Sequence, residues 1–293
     1  MKENHKVPFS ALGVVLAIGI VFGDIGTSPL YVMRAVLNAL PAGQLSRPDY
    51  ILGAVSCVIW TLTIQTTLKY VIITLRADNK GEGGILSLYA LIRQKYRWAY
   101  ILAGIGAATL LADGIITPAM TVMSAVEGLN TIAPHIPVIP VTIAIVLVLF
   151  LLQPFGTGSL GKYFGPLMIA WFTMMAAVGL SQLIHDFSVF RAFNPMYAIN
   201  FLIEVPQTMF ILGAIFLCTT GAEALYSDLG HCGLKNIRIS WIYVKSALII
   251  NYLGQAAWII NSHHVTHDIN PFFAMMPEWF SLIGVLMATL AAI

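Results

Sequence analysis

Three carboxylates set inside apolar stretches are the residues of this sequence best placed to do chemistry. Asp24 stands in Gly23-Asp-Ile-Gly-Thr-Ser-Pro-Leu-Tyr31, Asp113 in a long apolar run, and Glu223 in Thr219-Thr-Gly-Ala-Glu-Ala-Leu-Tyr226. On insertion scales an Asp at the centre of a membrane helix costs about 2.5–3.5 kcal/mol. A chain that retains such residues is read by default as an ion or proton pathway. Around Asp24, Gly23, Gly26 and Pro29 are all poor helix formers, which predicts unwinding, carbonyls freed to coordinate a cation, and half-helix ends facing the site. Tyr31 follows seven residues on, about two helical turns, so its hydroxyl can share that side. Thr220, Gly221 and Glu223 form a matching break later in the chain. Asp113, Thr117 and Thr121 recur at steps of four and make one polar stripe on a helix face, with Pro118 loosening a carbonyl. Carboxylates, hydroxyls and loose carbonyls are the hard oxygen ligands that replace the water of an alkali cation. The bland alternatives are a kink with an interfacial Asp, a packing Gly with a snorkelling Glu, and a Thr-lined packing face. Glu127 reads equally as a site residue or a solvated helix end.

Other motifs carry less. Gly156-Thr-Gly-Ser-Leu-Gly-Lys162 fits a phosphate loop until Tyr163 replaces the required hydroxyl residue, and no strand precedes it. His263, His264 and His267 have ligand-like spacing but sit in a polar loop with no partner motif. Cys57, Cys218 and Cys232 form no CxxC, so no disulfide or transition-metal site is expected. No nucleophile motif or redox pair appears. An enzyme and a bound cofactor are therefore not expected.

The elements that must position the carboxylates are membrane helices. Of 293 residues, 58% are hydrophobic and 10% charged, against about 25% charged in soluble domains. The net charge of +2 provides no field for nucleic acid. Apolar runs predict spans over about 10–37, 50–75, 98–128, 137–154, 163–184, 207–228 and 239–260, with an incomplete eighth over 278–293. The first is read as one interrupted span rather than a cleaved signal. Ten basic residues, from Lys2 and Lys6 to Lys235 and Arg238, fall on one side of this arrangement, against Arg34, Arg47 and Arg191 on the other. That asymmetry predicts a cytoplasmic N-terminus. The chain stops inside an apolar segment with no cap or polar tail, which predicts a fragment of a longer protein.

Gly23–Tyr31, Arg76-Ala-Asp-Asn-Lys-Gly-Glu-Gly-Gly84, Ile116-Thr-Pro-Ala-Met-Thr-Val-Met-Ser-Ala-Val-Glu-Gly128 and Gly221–Tyr226 together resemble the Kup/HAK/KT potassium uptake transporters. Asn194-Pro195 and Asn270-Pro-Phe-Phe273 look like that family as well. The resemblance runs from about residue 12 to the end. It implies an all-α polytopic membrane protein of the amino acid–polyamine–organocation superfamily, with a LeuT-like fold of two inverted five-helix repeats, the second truncated here. It implies potassium uptake across the inner membrane of the cell, as a potassium/proton symporter. Potassium, protons, the lipid bilayer and a second copy of the chain are the implied partners. Carried over by position, Asp24, Tyr31, Asp113, Thr117, Thr121, Thr220 and Glu223 look like the cation-binding set. Many family members have Glu where Asp113 stands, so the geometry of that ligand differs here. Arg76–Gly84 resembles a cytoplasmic signature with no assigned chemistry. The rivals are an amino acid permease, whose substrate carboxylate Asp24 would repel, and a channel, which would need a filter repeat such as TVGYG. A third is a non-transporting remnant that assembles with another subunit.

Overall fold

The computed structural model describes residues 7–45, 47–131, 136–152, 161–262, 265–267 and 269–293. The segment 153–160, which holds most of the phosphate-loop look-alike, lies outside the described residues, as do His263, His264, Lys2 and Lys6. Among the described residues the regular structure is helical, apart from one isolated bridge between Asn79 and Glu82.

The chain begins with α1 (Ala11–Val21), α2 (Gly23–Thr27) and α3 (Val32–Ala39), with a 3-10 turn at Ser28–Leu30 between the last two. Helix α4 (Pro48–Thr61) runs on without a stop into a π-helical stretch, Leu62–Ile73. After α5 (Ile85–Ile92) come α6 (Ala99–Glu127), α7 (Val138–Leu152) and α8 (Gly161–Leu183). Then follow α9 (Pro195–Glu204), α10 (Thr208–Phe216), α11 (Ala224–Ser227), α12 (Leu229–Cys232), α13 (Leu234–Asn261), α14 (Pro271–Ala274) and α15 (Glu278–Ala292). Local chemistry sets several starts. Ser10 caps α1 by accepting from the Gly13 amide. Asn194 and Asn270 do the same for α9 and α14, each followed by a proline at the first helical position. A proline there gives up an amide that has no partner anyway.

Among the described residues, four helical stretches are long and apolar enough to cross a membrane: Pro48–Arg76, Ala99–Asn130, Tyr163–Leu183 and Thr208–Ser227. Ala11–Val21 with Gly23–Leu30 makes a fifth if that pair, bent by 68°, counts as one span. Helices α7 and α15 are apolar but shorter. Helix α13, at 28 residues, is the least apolar of the long helices, and it buries Asn236, Ser240, Asn251 and Gln255. Apolar side chains such as Leu111, Ile115, Ile203 and Met209 stand exposed on the outside, as suits a protein solvated by lipid.

Helix α8 packs against both α1 and α13 through glycine. A Cβ on Gly19 would lie 2.4 Å from the Gly165 amide nitrogen, and one on Gly254 would lie 2.5 Å from Gly179 Cα. Small residues at such crossings let backbones approach and gain dispersion where lipid supplies no hydrophobic drive. This core, with Trp171, Phe172, Phe22 and Phe272 fully buried, fixes the broken first segment from behind.

Candidate cation site

The first break begins at Phe22, which leaves helical geometry at φ −110°, ψ 20°. Asp24 then sits in the first turn of α2. The carbonyls released here are not left bare. The Asp24 carbonyl accepts from Thr27 Oγ1 at 3.0 Å and from Ser28 Oγ at 3.2 Å. Trp171 Nε1 donates to Gly26 O at 2.9 Å, Gln255 Nε2 to Pro29 O at 3.1 Å, and Asn270 Nδ2 to Leu30 O at 2.8 Å. Helices α8 and α13 and the turn before α14 thus hold the unwound strip in shape. The helix breaks on either side of Asp24, at Phe22 and Tyr31, rather than at Asp24, which lies within α2, and one lone pair of each of these carbonyls is already engaged.

The second break follows a 3-10 turn at Leu217–Thr219. Thr220 is extended at φ −55°, ψ 133°, Gly221 adopts φ +82°, and Glu223 immediately precedes α11. The two breaks touch. A Cβ added to Gly221 would fall 2.4 Å from Asp24 Cβ and 3.1 Å from the Ile25 amide nitrogen. Ser28 Oγ also donates to Leu217 O at 3.2 Å. Gly221 is therefore required twice, for its left-handed backbone and for its lack of a side chain.

Helix α6 brings the third element. Thr117 Oγ1 donates to Asp113 Oδ1 at 2.8 Å. Asp113 is in hydrogen-bonding reach of Glu223 and in electrostatic reach of Asp24. The Tyr31 hydroxyl lies 3.3 Å from Ser28 Oγ and within hydrogen-bonding reach of Thr220. Asp24, Tyr31, Asp113, Thr117, Thr220 and Glu223 therefore lie in one neighbourhood. Thr121 lies a turn further along α6, buried, and its Oγ1 has no hydrogen-bond partner among the described residues. Asp24 is exposed and Asp113, Thr220 and Glu223 partly so, while Tyr31, Thr117 and Thr121 are buried. Carboxylates thus line an open face that hydroxyls back.

Two like charges 4 Å apart repel by about 4 kcal/mol at the screening typical of proteins. A cation or a proton among these three carboxylates relieves that repulsion. Among the described residues no three His, Cys, Asp or Glu side chains form a group that could hold a metal ion. The oxygens gathered here are those of carboxylates and hydroxyls, which are hard donors.

Beyond the site, Glu127 pairs with Arg34 beside a cavity of about 310 Å³ that Asn130 and Asn270 also line. His267 Nδ1 is 3.1 Å from Leu37 O at the same end. At the opposite end of α13, a cavity of about 360 Å³ is lined by Phe9, Asp78, Gly81, Gly233 and Lys235. There the Asn79–Glu82 turn docks on the chain after the second break. Tyr226 Oη donates to Ala77 O, and a Cβ on Gly230 would meet the Glu82 carboxylate at 2.5 Å. Sequence reasoning passed over Ser28, Trp171 and Gln255. A Gln four residues after an Asn inside an apolar helix was the available signal for Gln255.

A family model described as the K+ potassium transporter integral membrane domain matches residues 11–293. A probable potassium transport system protein Kup from Cytophaga hutchinsonii is 56% identical over 297 residues, covering 100% of this chain and 45% of that protein. Proteins of the same description from Flavobacterium psychrophilum and Enterococcus faecalis are 52% and 51% identical, covering 96% and 97% of this chain and 43% and 45% of theirs. The chain spans less than half the length of these relatives. No solved structure matches.

Proposed function

The chain is a multi-pass membrane protein of the Kup potassium transporter family, and on that premise we propose that it forms the cation-binding part of a potassium uptake transporter. The family is one of transporters, not enzymes. The observation that carries the reading is the contact between the two helix breaks, with Gly221 against Asp24 and Asp113 brought to the same point by α6. Interruptions in corresponding spans of two halves are a recurrent way of building a transporter site at mid-membrane.

In this reading Asp24, Asp113 and Glu223 supply charge, while Tyr31, Thr117, Thr121 and Thr220 supply neutral oxygen. A proton held on one of the carboxylates while the cation sits among the others would carry both across in the same direction, as symport. Two inverted repeats of LeuT-like form are supported by the breaks lying five spans apart, an odd number. An inward-facing N-terminus is supported by Val7, Asp78, Gly81 and Lys235 lining one cavity, since the basic asymmetry assigns those segments to one side. The test is rubidium uptake by the protein expressed from its own gene in cells lacking other potassium uptake. Asp24→Asn should reduce uptake at least tenfold at equal membrane abundance. Uptake at the unsubstituted level would overturn the assignment.

A further inference from the structure

Two oxygen atoms on α13 are fully buried and have no hydrogen-bond partner among the described residues, Tyr252 Oη and Gln255 Oε1. They are three residues apart and so project from the same helix face. Both abut the first break. Gln255 reaches Pro29 O through its nitrogen, and Tyr252 lies in electrostatic reach of Tyr31 and Cys218.

The Gln255 amide orientation is fixed by its neighbours. Asn251 Nδ2 donates to Met175 O at 3.0 Å, so Asn251 Oδ1 is the acceptor for Gln255 Nε2 at 2.8 Å. With Pro29 O as its second acceptor, the Gln255 nitrogen is fully committed. A flip would set oxygen against two acceptors. Gln255 Oε1 is thereby held as a bare acceptor in a dry place, where an unmatched lone pair is costly. Tyr252 Oη offers a second lone pair from the adjacent turn. Neutral oxygens held in shape by a rigid surround are what a dehydrated alkali cation accepts in place of water. Charge lies on the far side of Tyr31, which is in electrostatic reach both of Tyr252 and of Asp24 and Asp113.

We propose that Tyr252 Oη and Gln255 Oε1 line a second position for a dehydrated alkali cation, on the α13 side of the Ser28–Tyr31 turn and adjoining the position at Asp24. The inference rests on the reading of that site as a cation site. Tyr252→Phe removes one oxygen and preserves the ring that fills the core. A hydroxyl that merely goes unpaired would be lost without harm, because an isosteric apolar group removes a buried unsatisfied polar atom.

The experiment measures potassium-driven rubidium competition and thermal denaturation of the purified, full protein in potassium and in sodium. For Tyr252→Phe, half-saturation for potassium should rise roughly tenfold, as expected for one lost oxygen ligand to a charge. The extra thermal stability conferred by potassium over sodium should shrink, with the sodium value unchanged or raised. Unaltered potassium affinity, whether with equal or lower stability in both salts, overturns the second position. Asp24→Asn in parallel separates the two readings. If Asp24→Asn abolishes potassium binding while Tyr252→Phe changes nothing, only the second position falls. If Asp24→Asn leaves potassium binding intact, the primary site falls first.

Discussion

Gly221 shows how much a single position is asked to do. Its backbone sits at φ +82° and against Asp24. Gly221→Ala adds left-handed strain and a clash with the carboxylate's own Cβ, at a cost of about 2–3 kcal/mol. A lowered denaturation temperature in detergent and at least tenfold weaker rubidium uptake are the expected readouts; an unchanged pair of values would refute the contact. Arg34 and Glu127 are partly buried partners. Reversing either charge should slow uptake and destabilise by about 1 kcal/mol, and the exchanged pair Arg34→Glu with Glu127→Arg should recover most of it. Additive single effects in that double-mutant cycle would show that no coupling exists. The site carboxylates and the Thr117–Thr121 stripe were legible in the sequence because polar atoms in an apolar run need a reason. The parts played by Trp171 and Ser28 were not, since a side chain's partner 145 or 189 positions away along the chain is a tertiary fact. Glu127 was legible as a helix-end residue, and only the fold supplied Arg34.

At the level of elements, four long apolar helices and the bent pair Ala11–Val21 with Gly23–Leu30 among the described residues fall on five of the apolar runs, because hydropathy and helix length are coupled by bilayer thickness. What hydropathy could not resolve was shape within a run. The first run divides into α1, α2 and α3 with a 68° bend between the first two. The second relaxes into a π-helix where Thr67 and Thr74 donate to carbonyls five residues back, those of Leu62 and Lys69. Thr67 Oγ1 also accepts from Trp241 Nε1 and Lys245 Nζ, which gives the lysine inside α13 a partner and anchors the widened turn to that helix. Short helices α5, α9, α12 and α14 were missed because each is too brief for a periodicity signal. The crossing of α8 with α13 turns on Gly179 and Gly254. Gly179→Leu inserts a side chain where the backbones meet and should destabilise by about 3 kcal/mol, read as lower thermal stability and reduced membrane abundance. A variant as stable and abundant as the parent would mean that the helices are further apart than described.

Across the whole molecule, the buried and unpaired state of Cys57, Cys218 and Cys232 makes sidedness measurable by labelling. Lys95 and His185 are exposed in the segments after α5 and α8. On the proposed orientation, Lys95→Cys should react with an impermeant maleimide only in inside-out vesicles, and His185→Cys only in intact cells. The opposite pattern would invert the orientation. Two contacts stand at the two ends of α13, which at 28 residues separates them by about 40 Å. One is the ion pair of Arg34 and Glu127, the other the hydrogen bond from Tyr226 to the Ala77 carbonyl. They are chemically unlike. Dissolved salt weakens contacts between formal charges and leaves neutral hydrogen bonds nearly untouched. On the proposed orientation the ion pair lies on the side of the external medium, so external salt reaches it first, and its partial burial limits how far that salt can weaken it.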